Sequence, residues 1–231
     1  MVDNFKNQAI GYSKFAPISF SWNFIEKPSL DRYISEFYSP NKTILEAGCG
    51  SGRIIEHLIS KGVAPKNITG VDINKKFIEL TSNRNLNVRF IQSDLIKATL
   101  PKDNYDLIIC SMVMEQFDSK RFPILLSNFH RWLKEGGTLF YIATHPFRAV
   151  SDELETYEKR RWINANSPWN TKIPIYHRTI SDFINTTIQA GFKIQIIDEP
   201  MPTLQGKKKN YKEYQRYLGF GASRLVVKAV K

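Results

Sequence analysis

Cysteine is scarce: Cys49 and Cys110 are the only two in 231 residues. That count excludes a disulfide framework and a cysteine-based zinc site, and no metal is expected. No apolar run approaches the length of about 18 residues at which a segment reads as bilayer-spanning, so no membrane partner is expected. The opening Met-Val-Asp-Asn-Phe-Lys lacks the basic-then-apolar layout of a secretory leader, and a cytoplasmic location is expected. Repeats and low-complexity tracts are missing too, which leaves globular packing as the organising principle. Carboxylates are outnumbered, with 22 Asp and Glu against 33 Lys and Arg, for a formal net charge of +11. An excess of this size suits a phosphate-bearing partner, and a lysine-rich background gives the same total with no functional content.

What is present is enough apolar material, 42% of residues, to bury a sizeable core in one domain spanning 1–231. Strand-like and helix-like runs alternate, the order that generates a parallel sheet covered on both faces. Helices are predicted at 27–37, at 53–60 with a stop at Gly62, at 75–82, and at 120–134 ending at Gly136-Gly137. Strand-like runs occupy 68–71, 88–91, 105–110, 138–143, 193–197 and 224–230. Thr179-Ile180-Ser181-Asp182 reads as a capping box opening a last helix that Gly191 stops.

The richest stretch is 44–53, an apolar run ending on Glu46 and then a Gly-x-Gly-x-Gly turn, Gly48 to Gly52 with Cys49 inside it. Glycines at a strand-to-helix turn let the backbone pass close to a ligand. About twenty residues on, Asp72 ends the second run, where an acid can accept from both ribose hydroxyls of a nucleoside. The third run ends in Gln92-Ser93-Asp94-Leu95, a further acid at the same edge. A dinucleotide site explains the first two features but asks for neither Asp94 nor Glu46. A ligand with an adenine amine and a free amino-acid amine gives every one of these acceptors a donor.

Four motifs in chain order, Glu-Ala-Gly-Cys-Gly-Ser-Gly at 46–52, Gly-Val-Asp-Ile at 70–73, Gln-Ser-Asp-Leu at 92–95 and Tyr-Asp-Leu-Ile-Ile-Cys-Ser-Met-Val-Met-Glu-Gln-Phe at 105–117, carry a resemblance. The chain resembles the class I S-adenosylmethionine-dependent methyltransferases, in particular the branch acting mostly on small molecules. The resemblance implies an α/β fold: a Rossmann-like doubly wound sheet, mostly parallel with an antiparallel C-terminal strand and helices on both faces. It implies S-adenosyl-L-methionine as cofactor and S-adenosyl-L-homocysteine as product. By resemblance, Gly48 and Gly50 line the methionine portion, Asp72 takes the ribose, Asp94 and Leu95 meet the adenine, and Ser111 and Met112 close the other side; Tyr12, Glu46, Cys49, Gly52, Ile73 and Gln116 are further candidate cofactor contacts. Gln116 departs from the histidine common at its position in that branch.

Methyl transfer from a sulfonium needs positioning above all, and a base only where the acceptor must lose a proton. The acceptor side therefore lies outside the motifs. His145 follows the 138–143 strand and His177 precedes the capped helix; each is a candidate base, and each equally a loop anchor. Residues 148–177, with Tyr157, Arg160, Arg161, Trp162, Trp169 and Tyr176, read as a substrate lid, since long insertions at a strand end are commonly binding loops. Residues 1–40 read as an N-terminal cap, with Tyr12 and Trp22 as candidates for closing over cofactor or acceptor. The expected layout is thus a cap (1–40), a cofactor-binding core (41–147), the lid, and a C-terminal helix and hairpin (178–231).

The expected activity is methyl transfer to a small-molecule acceptor on N, O or C. Two alternatives stand beside it. One is an RNA methyltransferase using a basic C-terminal loop, where Lys207, Lys208, Lys209, Lys212 and Arg216 interleave with Tyr211, Tyr214 and Tyr217. The other is a cofactor-binding protein without catalysis. No Asn- or Asp-Pro-Pro-Tyr/Phe tetrad follows 105–110, which disfavours that route to adenine amino methylation, and Cys110 has no activating neighbour for a covalent pyrimidine mechanism.

Overall fold

The computed structural model describes residues 8–84, 86–166 and 171–231. Trp169 and the opening hexapeptide lie outside the described residues. Nine strands are described: β1 (Ile44–Ala47), β2 (Ile68–Asp72), β3 (Arg89–Gln92), β4 (Tyr105–Ser111), β5 (Leu133–Thr144), β6 (Arg161–Asn166), β7 (Lys172–His177), β8 (Lys193–Asp198) and β9 (Arg224–Val230). The α-helices are α1 (Ala9–Phe15), α2 (Lys27–Tyr33), α3 (Arg53–Ser60), α4 (Lys75–Ser82), α5 (Phe122–Trp132), α6 (Pro146–Ala149), α7 (Ile180–Gln189), α8 (Leu204–Lys209) and α9 (Tyr211–Gly219).

Seven strands form one sheet in the order β3-β2-β1-β4-β5-β9-β8. β1 to β5 pair in parallel, and β9 runs antiparallel between β5 and β8. This is the Rossmann-like methyltransferase arrangement that the sequence led one to expect. The strand order reverses between β1 and β4, and the crevice at such a reversal is where open α/β sheets bind ligands.

Alternation along the central strands builds two cores, one per face. Ile108 and Cys110 face a cluster closed by Phe122, Leu126, Phe129 and Phe183 of α5 and α7. Leu107 and Ile109 face Trp22, Leu30, Ile34, Ile54 and Leu58. The Thr179–Asp182 capping box is present in both directions at the start of α7, and Asn74 caps α4 by accepting from Phe77 N–H at 3.1 Å. Among the described residues no helix is long and apolar enough to cross a membrane.

Three expectations are corrected. The 120–134 helix stops at Trp132, because Leu133 turns extended and pairs with Tyr105 at the start of β5; sheet pairing wins over helical periodicity. The predicted 27–37 helix ends at Tyr33, followed by a separate 3₁₀ turn, Ser35–Phe37. The basic stretch is not a loop: α8 and α9 are capped by Thr203 and Asn210 and dock on the N-terminal segment. There Tyr217 stacks on Phe20 at 5.3 Å, and a Cβ on Gly206 would lie 2.9 Å from Phe24. The 148–177 insertion holds a short 3₁₀ turn, Leu154–Thr156, and the separate β6–β7 hairpin, registered from Arg161 opposite His177 to Asn166 opposite Lys172.

Candidate active site

The turn after β1 folds over the end of β2. Gly48 and Cys49 N–H both donate to Val71 O, at 2.7 and 2.9 Å. Gly50 N–H donates to Asp72 Oδ2 and Asn74 N–H to Asp72 Oδ1, each at 2.8 Å, so Asp72 is locked at the mouth of the turn. Glycine is required at two points. Gly48 has φ +80° and a Cβ there would sit 2.4 Å from Val113 Cγ2; Gly52 has φ +78° and its Cβ would sit 2.6 Å from Thr81 Cγ2. Cys49 is buried, and burial pushes its thiol well above the usual value. Tyr12 covers the turn: its ring lies 3.6 Å from where a Gly50 Cβ would stand, edge-on to Phe77 at 5.5 Å.

Trp22 is buried, edge-on to His57 at 6.1 Å and 4.8 Å from the Arg53 guanidinium, which also lies 5.9 Å from the Tyr12 ring.

The three carboxyls sit on neighbouring strand ends. Glu46 is buried on β1, and its Oε2 has no hydrogen-bond partner among the described residues. Burial raises its pKa well above the ordinary value; Arg53 opposes this and Asp72 adds to it. Ser93 N–H donates to Asp72 O at 2.9 Å, which brings the β3 end against β2. Asp94 accepts from Ile96 N–H at 3.0 Å and pairs with Arg121 at 3.1 Å, beside buried Leu95. Ile73 is half-buried. Across the reversal point, Met112 adopts φ +59° and its N–H donates to Ile142 O at 2.7 Å. Ser111 and Gln116 are buried there, and Ser111 Oγ is unpartnered.

Buried polar atoms in proteins are nearly always satisfied. Among the described residues the exceptions are Glu46 Oε2, Ser51 Oγ, Ser111 Oγ, Glu115 Oε2, His177 Nδ1, Ser223 Oγ and Trp132 Nε1. Glu46, Ser51, Ser111, Glu115 and Ser223 lie on β1, in the glycine turn, at the end of β4, in the turn after it and at the entry of β9, while His177 lies on the separate β6–β7 hairpin.

The histidines differ from each other. His145 is buried with both ring nitrogens engaged: Phe147 N–H donates to Nδ1 at 3.3 Å, and Nε2 donates to Glu199 at 2.6 Å. Of its two open readings, the geometry fits the anchor. His177 Nε2 donates to Tyr157 O at 2.7 Å while Nδ1 stays buried and unpartnered; burial lowers its pKa, keeping it neutral near pH 7. Phe147 stacks on Tyr157 at 4.3 Å, and Trp162 lies edge-on to Tyr176 at 5.4 Å, so these rings pack the insertion.

Two features lay beyond sequence reasoning. Buried Glu26 bridges Arg53 at 2.7 Å and Arg224 at 2.9 and 3.0 Å, so Arg53 takes Glu26 and not Glu46 as its ion-pair partner. Buried Arg178 donates to Met114 O at 3.2 Å and to Phe117 O, under the ring of Phe122 at 3.9 Å; burial lowers its pKa to about 10. Arg178 directly follows His177 in the chain, but nothing local to it marks these partners.

The fold is that of the class I S-adenosylmethionine-dependent methyltransferases, and the chain carries a methyltransferase domain. Residues 44–137 match the family model described as a methyltransferase domain. The chain is 29% identical over 208 residues to an uncharacterized protein of Haemophilus influenzae, covering 80% of this chain and 79% of that one. It is 31% identical over 110 residues to a malonyl-[acyl-carrier protein] O-methyltransferase of a Paenibacillus species, covering 45% of this chain and 39% of that relative. A crystal structure of an S-adenosylmethionine-dependent methyltransferase from Mesorhizobium loti superposes with TM-score 0.72 at 20% identity, covering 93% and 99% of the two chains, which is a likeness of fold.

Proposed function

We propose that this chain transfers a methyl group from S-adenosyl-L-methionine to a small-molecule acceptor by in-line displacement. The observation that carries this reading is the unpartnered Glu46 Oε2 beside the glycine turn, a buried acceptor suited to the cofactor's amino group. The other residues fit the same group. Gly48, Cys49, Gly50 and Gly52 leave room for its methionine portion under Tyr12. Asp72, with Ile73, takes the ribose, Asp94 and Leu95 the adenine, and Ser111, Met112 and Gln116 close the far side. When bound, the cofactor supplies a methyl carbon already activated by a positive sulfur. The protein's share is to orient an acceptor lone pair and exclude water. His177 ties the end of the 148–177 insertion back to Tyr157 within it, and His145 fastens the segment after β8 through Glu199.

Calorimetry with the cofactor and its demethylated product, followed by methyl release from labelled cofactor over phenols, alcohols, carboxylates and amines, tests the reading. Binding with turnover of at least one small molecule is expected. One observation favours RNA as a second reading: Lys207, Lys208, Lys209 and Lys212 are exposed along α8 and α9. RNA turnover that falls steeply with salt, with no small acceptor used, would replace the first reading with the second.

A further inference from the structure

The turn after β4 carries a carboxyl that the cofactor does not need. Glu115 is 5% exposed. One of its oxygens is fixed: the Thr144 hydroxyl donates to Oε1 at 2.9 Å, and Thr144 N–H at 3.4 Å. The other, Oε2, is buried with no hydrogen-bond partner among the described residues. The backbone on both sides is clamped, since Arg178 donates to the carbonyls of Met114 and Phe117. A carboxyl free to swing would turn its orphaned oxygen to solvent; this one is held.

Its position is in the turn at the end of β4, across the strand-order reversal from the glycine turn that follows β1. The Cys110 thiol at the end of β4 is pushed well above its usual value by burial and then by Glu115 and Glu46, so both carboxyls act on the same strand end. Glu46 belongs to the glycine-turn half. Glu115 belongs to the half built from β4, β5 and the entry of β9, which also holds the unpartnered hydroxyls of Ser111 and Ser223.

From this arrangement we infer that Glu115 Oε2 receives the proton of a hydroxyl acceptor, so that the substrate class is an alcohol or phenol methylated on oxygen. The inference rests on the small-molecule reading above. A neutral hydroxyl gains nucleophilicity by losing its proton to a positioned base. The O–H proton passes to Oε2 as the acceptor oxygen bonds to the methyl carbon; the carbon–sulfur bond breaks and its electron pair stays on sulfur. Glu115 leaves the step as a neutral acid and returns its proton to water.

The charged groups acting on Glu115 from the neighbouring elements favour a hydroxyl over an ammonium. Arg224 at the start of β9 and Arg178 before α7 both interact with it electrostatically; Arg224 is already paired with Glu26, so Arg178 is the cation that disfavours a positively charged acceptor. On β4 the titratable neighbour is Cys110; on β5 it is the neutral Thr144 that contacts the carboxyl. Burial raises the Glu115 pKa, opposed by hydrogen bonds from its own backbone and Thr144 and by the charge of Arg224, so it is a stronger base than a carboxylate in water. Thr144 and Arg178 act as positioning residues.

The test compares the native chain with Glu115→Gln and Glu115→Asp by calorimetry with S-adenosylhomocysteine and by pH-resolved turnover over a panel of phenols, alcohols and primary amines. Glu115→Gln is expected to keep product-cofactor affinity within about threefold, which also reports folding, while kcat drops by about 10²–10⁴ with KM little changed. The native profile of kcat/KM is expected to rise with pH through a limb above the usual carboxylate value of about 4.3, and that limb should vanish in Glu115→Gln. Glu115→Asp should recover part of the rate. Native-like turnover in Glu115→Gln, a joint loss of cofactor affinity in both variants, or a native preference for amines would overturn the inference alone. Cofactor binding by the native chain with no small molecule methylated would overturn the small-molecule reading, and this inference with it.

Discussion

Replacing Glu26 with Gln withdraws the one negative charge that holds two buried guanidiniums together. Glu26 is 1% exposed and makes three charge-assisted hydrogen bonds, one to Arg53 at 2.7 Å and two to Arg224 at 2.9 and 3.0 Å. Removing one partner from a buried ion pair leaves uncompensated charge and costs about 3–5 kcal/mol. Gln can still accept from one arginine, but it presents an amide N–H₂ to the other, so a loss of about 3 kcal/mol is expected. For a chain of this length each kcal/mol moves the melting temperature by roughly 2–4 °C, which places the drop near 6–12 °C by calorimetry at pH 7.

The pH dependence gives a second handle on the same group. Burial pushes the Glu26 carboxyl up, but Arg53 and then Arg224 outweigh it and hold the pKa below the ordinary carboxylate value. A depressed folded pKa contributes stability that is present above the unfolded pKa, about 4.3, and lost as pH falls through the folded one. Glu26→Gln should therefore flatten the acid limb of the stability profile. Arg53 also lies in the field of Glu46 and Tyr12, so cofactor affinity should weaken in the same variant. A melting shift under about 2 °C with an unchanged acid limb would refute the reasoning.

Asp72→Ala removes the acceptor for Gly50 and Asn74 N–H and the proposed ribose contact; cofactor affinity should fall by roughly 10- to 150-fold, about 1.5–3 kcal/mol, and unaltered binding by calorimetry would remove the ribose assignment. Gly48→Ala combines φ +80° with a Cβ 2.4 Å from Val113 and should destabilise by about 2–4 kcal/mol in urea unfolding, with Val113→Ala in the same chain recovering only the steric part. Changing Lys207, Lys208, Lys209 and Lys212 together to Ser should leave small-molecule turnover within about twofold, since exposed lysines of this kind contribute little to stability; loss of RNA retention together with loss of turnover would favour the second reading.

Much of the cofactor edge was legible because its signals are local. A glycine turn, an acid at a strand end and a capping box each specify backbone geometry within a few residues, so spacing alone set Gly48, Asp72 and Thr179 in register with β1, β2 and α7. The acceptor side was less legible. His145 and His177 carry the same chemistry in sequence, and only their partners, Glu199 and Phe147 for one and Tyr157 for the other, distinguish anchoring from an open lone pair. Glu115 was visible as a motif residue, but the unpartnered state of one oxygen is a property of packing.

The sequence by itself determined the alternating order of elements, the mostly parallel doubly wound sheet and the edge proposed for a nucleoside ligand, because periodicity and turn chemistry act over short stretches of chain. Tertiary structure alone decided that Glu26 meets Arg53 and Arg224, 27 and 198 positions away. It also decided that the lysine-rich stretch folds as two helices on the N-terminal segment, and which buried polar atoms near the ends of β1 and β4 lack a partner among the described residues. These outcomes depend on which distant side chains are brought within a few ångströms and shielded from water, and no local pattern encodes that proximity.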